Sequence, residues 1–129
     1  MSEKKLTMKL LKERLGLCRL TKNELIPQWA INSDFYSITK TLEELSIVCS
    51  QDNIPSNIKC EKEWRALKIE RQLEFSLIGI LASIGTILAQ KGISIFAIST
   101  FDTDYVLVKE KDIANAIRAL SNEKYEITY

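Results

Sequence analysis

Two alternating hydrophobic periods over residues 61–129 constrain this chain more than any other feature. The segment EWRALKIE, Glu63 to Glu70, sets Leu67 and Ile69 against charged Lys68 and Glu70, the period of two expected of a strand with one buried face. ILASIGTILAQKG then places Ile80, Ile84, Ile87 and Leu88 on one face at helical spacing, and Gly92 stands where a left-handed cap would end the helix. ISIFAIS is a continuous apolar run of strand length, the pattern of a strand covered on both faces. DYVLVK reads as the next strand. KDIANAIRAL reads as a second helix, with Asp112 as N-cap and Ile113, Ile117 and Leu120 on one face. KYEITY closes the series as a strand alternating Tyr125, Ile127 and Tyr129 with polar residues.

The resulting order, β-α-β-β-α-β, is that of a ferredoxin-like α+β domain. The first half repeats part of it. Sliding the sequence by 60 positions sets ITKTLEELSIVCSQD beneath ISTFDTDYVLVKEKD, so that Ile38 meets Ile98, Glu44 meets Asp104 and Asp52 meets Asp112. LGLCRL can serve as the first strand of this copy. TKNELIPQWAINS leaves room for a turn or two of helix around Pro27, and NIPSNIK places another proline where the second helix would run. Residues 1–60 are therefore expected to form a degenerate, β-rich N-terminal subdomain, and residues 61–129 a complete domain, in tandem.

The chain contains no histidine, which removes the commonest general base and the commonest metal ligand together. Ser-His-Asp, Cys-His and His-based zinc chemistry are excluded, and the remaining residues show no nucleophile motif. Eighteen basic and 17 acidic residues give a net charge of +1, too little to recruit nucleic acid or an anionic membrane. No apolar run approaches the roughly 20 residues that span a bilayer, and the charged N-terminus lacks the apolar core of a secretory signal, so the expected location is cytoplasmic. Cys18, Cys49 and Cys60 include no C-x-x-C pair, and Cys18 and Cys49, set in apolar runs, read as reduced core thiols. Asp102 and Asp104 fall short of the oxygen donors calcium takes, so no metal and no cofactor is expected.

The stretch EFSLIGILASIGTILAQKGISIFAISTFDTDYVLVKEKDIANAIRAL resembles the ACT domain, the βαββαβ regulatory module of amino-acid biosynthetic enzymes. Its Gly-Ile-Leu helix start, Lys-Gly-Ile-Ser-Ile exit and Ile-Ser-Thr turn are of the kind aspartate kinase regulatory domains carry. With EELSIVCSQDNIP and EKEWRALKIE included, the chain is similar to short bacterial tandem ACT proteins related to the CASTOR class of arginine sensors. In one place it departs from many amino-acid-binding ACT modules: the loop before the first helix carries Glu74 followed by apolar Phe75 and Leu77. The resemblance implies a non-catalytic protein that binds or senses an amino acid, with a homodimer as the expected assembly. The alternative is a structural dimerisation module without a small ligand.

A free amino acid demands donors for its carboxylate and acceptors for its ammonium group. The helix start at Ile78, Gly79, Ile80 and Leu81 would offer unpaired N–H groups and the positive end of a dipole. Gly79 would also let a ligand approach the backbone, although Gly79 and Gly85 could equally serve close helix packing. The connection Ser99, Thr100, Phe101, Asp102, Thr103 and Asp104 would offer acceptors, although Asp-Thr-Asp is also an ordinary turn former. Ser37, Ile38 and Thr39 are the matching residues of the first copy, and Glu43 and Glu44 are further acceptors. The ligand is expected in a cleft between repeats or between protomers.

Overall fold

The computed structural model describes residues 6–70 and 79–129. Ile78, Glu74, Phe75 and Leu77 lie outside the described residues. The chain divides into two compact units, one of Met1–Lys12 with Arg65–Tyr129 and the other of Glu13–Trp64. It contains eight strands and two α-helices among the described residues: β1 (Leu6–Leu10), β2 (Leu15–Leu20), β3 (Ser37–Lys40), β4 (Leu45–Ser50), β5 (Cys60–Ile69), α1 (Ile80–Gln90), β6 (Ile95–Ser99), β7 (Asp104–Lys109), α2 (Glu110–Ser121) and β8 (Tyr125–Thr128).

The unit containing both helices orders its strands β6-β7-β5-β1-β8. Leu67 and Ile69 of β5 and Val106 and Val108 of β7 turn one face toward the helices. There they join Ile80, Ile84 and Leu88 of α1, and Ile113, Ala116, Ala119 and Leu120 of α2, in a single apolar core. Tyr125 is fully buried, and its hydroxyl donates to Ser83 Oγ at 2.8 Å, satisfying a polar group that burial would otherwise leave costly. Gly92, at φ 71°, ends α1 as its position in the sequence suggests.

Three sequence expectations are corrected in this unit. From sequence, residues 6–10 go with the N-terminal half; instead β1 runs antiparallel to β5 and parallel to β8, with Leu6, Met8 and Leu10 buried in the helix-bearing core. It thereby fills the slot beside β5 that the closing strand of a simple βαββαβ domain would occupy. β6 is not covered on both faces. It pairs with β7 alone among the described strands, and Ala97 and Ser99 are exposed, so its apolar run belongs to an edge strand. Asp112 is not the N-cap, because α2 begins at Glu110 after extended Lys109, and Asp112 lies in the first turn, where its carboxylate suits the helix dipole.

In the second unit the strand order is β3-β4-β2-β5. With β2 as strand one and the N-terminal half of β5 as strand four, this is the ferredoxin order without its helices. A 3-10 turn at Gln28–Ile31, entered through Pro27, stands in the first helical slot, and another at Gln51–Asn53 stands in the second. Trp29, Ala30, Ile54 and Ile58 cover the apolar face that a pair of helices would otherwise bury. Strand β5 thus closes one sheet motif and opens the next.

The repeat is real but its register is 59 residues. Lys40 faces Leu45 in one hairpin and Ser99 faces Asp104 in the other, so the four-residue turns are Thr41–Glu44 and Thr100–Thr103. The register of 60 aligns side-chain types, setting Ile38 on Ile98. The backbone sets Ile38 on Ala97 and Thr41 on Thr100. Cross-strand pairing and turn closure fix position here, and similarity of side chains one residue away does not override them.

Candidate ligand-binding turn

The acidic connection between β6 and β7 is shaped by its threonines. Thr100 N donates to Thr103 O at 2.8 Å, and Thr103 N donates back to Thr100 Oγ1 at 3.1 Å, a side-chain closure typical of Ser/Thr turns. Thr103 Oγ1 in turn donates to Ile69 O at 2.7 Å, which ties the turn to the end of β5. The first hairpin is built alike: Thr41 N donates to Glu44 O at 2.9 Å and Glu44 N to Thr41 Oγ1 at 3.1 Å. Each turn holds an apolar residue out into solvent, Leu42 at 90% and Phe101 at 97% exposure, followed by an acid, Glu43 or Asp102.

Beside the second turn lies an open groove of about 490 Å³ lined by Lys68, Ile69, Glu70, Thr100, Asp102, Thr103 and Tyr105. Because Leu67 and Ile69 face the helices, period-two alternation turns Lys68 to the opposite face of the sheet. Tyr105 alternates likewise with Val106. Lys68 Nζ and Glu70 Oε2 are 3.9 Å apart, so one cation and two carboxylates meet around this groove.

Of the residues expected from sequence, Thr100, Asp102 and Thr103 line the groove. Ser99, exposed, ends β6, and Asp104 faces it across the hairpin; neither lines the groove, nor does Phe101. Gly79 adopts φ 78° as the N-cap of α1, a left-handed conformation that explains a glycine there without any ligand. Ile80 is buried in the helix-bearing core and Leu81 packs against it, so that side of the expected site has only backbone to offer, and it does not line the groove. Ser37, Ile38 and Thr39 lie on β3 in the other compact unit. Lys68, Glu70 and Tyr105 were missed. The signal was available, since strands one and three are neighbours in a split βαβ sheet and EWRALKIE already places Lys68 and Glu70 on the face away from Leu67 and Ile69.

No cluster of three or more metal-ligating side chains with suitable geometry occurs among the described residues, and no described helix is long and apolar enough to cross a membrane.

A family model described as the ACT domain matches residues 59–122, and a second model, for an N-terminal domain, matches residues 13–57. The chain belongs to the ACT-domain family. This ACT protein is 28% identical over 102 residues to the human putative protein CASTOR3P, a match covering 69% of the chain and 63% of that relative. The chain therefore spans less than two thirds of the relative's length. The crystal structure of a protein from Agobacterium tumefaciens superposes with a TM-score of 0.90 at 36% identity, covering 97% of this chain and 93% of that one. The regulatory subunit of aspartate kinase from Thermus thermophilus gives a TM-score of 0.56 at 14% identity, covering 91% and 93%, a likeness of fold.

Proposed function

We propose that this ACT protein is a non-catalytic, cytoplasmic sensor of a free amino acid, and that the groove beside Thr100–Thr103 takes the ligand's charged end. The observation that carries the reading is the grouping of Asp102 and Glu70 with Lys68 around one groove. A zwitterion needs both signs of charge within its own length, and this grouping offers acceptors for an ammonium group and a donor for a carboxylate. Thr100 and Tyr105 add neutral hydrogen-bonding groups at its wall. A volume of about 490 Å³ is within the range of small-molecule sites. Binding would act by population shift: whichever arrangement of ACT units, in the chain or in a homodimer, completes the ligand's contacts becomes the favoured one.

A thermal-shift screen of the twenty amino acids tests this reading. A ligand present at 100 times its dissociation constant adds about 2.7 kcal/mol to the folded state, a shift of several degrees. At least one amino acid should give it, and Asp102→Asn should abolish it while leaving the melting temperature without ligand unchanged, because Asp102 is exposed. Silence of the wild type toward all twenty would overturn sensing; a shift retained in Asp102→Asn would remove the turn from the site.

The alternative, an association module without a small ligand, is favoured by one observation: β3 and β6, the outer strands of the two hairpins, each pair on one side only among the described strands. An open strand edge is a template for pairing with another chain. A dimer by sedimentation in a protein that responds to no amino acid would select this reading.

A further inference from the structure

We propose that Cys18 and Cys60 form an oxidisable dithiol, which a peroxide converts into a disulfide linking β2 to β5. The two residues are far apart in sequence but are direct cross-strand partners in the antiparallel β2–β5 pair. Arg19 N donates to Lys59 O at 3.1 Å, which makes Arg19 and Lys59 the hydrogen-bonded position and places Cys18 and Cys60, one step along, at a non-hydrogen-bonded one. At such positions the Cα atoms approach to about 4.5 Å, within the roughly 4.4–6.8 Å that a disulfide spans. Both side chains point to the face covered by Ala30 and Trp29.

Cys49 is the third thiol on this face and is the wrong partner. Cys18 lies opposite Ile47 on β4, so Cys49 is its diagonal neighbour, and diagonal Cα atoms are about 7–8 Å apart, beyond the reach of a bridge. Hydrogen bonding to Cys49, with burial second, pushes the Cys18 thiol well above the usual range, while the same hydrogen bond holds Cys49 down. Cys18 is 1% exposed, whereas Cys60 is half-buried, so Cys60 is the more accessible of the two residues.

The chemistry balances with hydrogen peroxide as oxidant. Cys60 sulfur attacks one peroxide oxygen, forming an S–O bond as O–O breaks, and hydroxide leaves with the thiol proton as water. Cys18 sulfur then attacks Cys60 sulfur, forming S–S as S–O breaks, and the second hydroxide takes the Cys18 proton. The two sulfurs lose two electrons and the peroxide gains them, releasing two waters in all.

The folded chain is treated with hydrogen peroxide, quenched in acid, alkylated in denaturant and mapped by mass spectrometry without reduction. The expected product has lost two hydrogen atoms, joins the Cys18 and Cys60 peptides, carries alkyl on Cys49 and reverts with dithiothreitol. Cys49→Ala should keep the link and Cys60→Ser should lose it. A Cys18–Cys49 link, three alkylated thiols, or stable addition of two oxygens to Cys60 would each overturn the proposal. The wild-type map decides alone if a variant does not fold.

Discussion

The two repeats of this chain use one hairpin and one turn, yet only one of them has helices. In the C-terminal copy β6 and β7 are bracketed by α1, of 11 residues, and α2, of 12. In the N-terminal copy β3 and β4 are bracketed by 3-10 turns of four and three residues. Proline explains much of the difference. Pro27 opens the first 3-10 turn, and Pro55 follows the second closely enough to forbid its extension into a helix. What remains must still cover an apolar sheet face, and it does so with Trp29 and Ala30 from one turn and Ile54 and Ile58 from the other segment. The hairpin defines the repeat; the helices are one of two ways to cover it.

If so, the two covers should fail differently. Ile84 sits at the centre of α1, fully buried between the helices and the sheet. Ile84→Ala removes a methylene and both methyl groups from a packed site and should cost about 2–5 kcal/mol, read as a large fall in the urea midpoint. Trp29 is only half-buried, so Trp29→Ala should cost less in spite of its larger ring. An equal or greater loss from Trp29→Ala would mean that the short cover is no lighter than the helical one, and would break the comparison.

The next effect is smaller and tests how closely the short cover sits. Gly16 of β2 packs directly under Ile54, and a β-carbon at residue 16 would overlap Ile54 Cδ1. Gly16→Ala should therefore destabilise by about 1–3 kcal/mol through overpacking, because Ile54 is itself buried and has little room to turn aside. Trimming the neighbour should relieve it: Gly16→Ala with Ile54→Val should recover part of the midpoint lost by Gly16→Ala alone. No recovery would place the strain elsewhere.

Most of the fold was legible because its signals are local. The strand and helix periods of residues 63–128 gave nearly every element, and Pro27 marked the missing helix. Two features depended on pairing and were not legible. LTMKL, Leu6–Leu10, alternates like any strand, and nothing in its residues says which sheet it enters. The repeat register was read one residue long because Ile38 and Ile98 are alike, whereas the backbone answers to turn closure. The candidate site divides in the same way. Asp102 and Thr103 stand out within a few residues of each other, but Lys68 joins them only through the adjacency of β5 and β7, and Cys60 joins Cys18 only through the pairing of β2 with β5.

The smallest effect concerns what the two repeats share. In each turn one threonine hydroxyl, Thr41 or Thr100, accepts a backbone N–H from three residues on, and the same backbone bond closes both loops. Thr41→Ala and Thr100→Ala should therefore each cost about 1 kcal/mol, Thr41→Ala slightly the more, since Thr41 Oγ1 accepts from both Glu43 N and Glu44 N whereas Thr100 Oγ1 accepts from Thr103 N. Thr100→Ser should restore the loss, because the oxygen and not the methyl group closes the turn. Thr103→Ala should add a cost with no counterpart at Glu44, since Thr103 Oγ1 also anchors the turn to Ile69 O. If Thr100→Ala were neutral while Thr41→Ala was not, the anchor at Thr103 would be holding the second turn by itself. The shared geometry would then be an inheritance that only the first repeat still depends on.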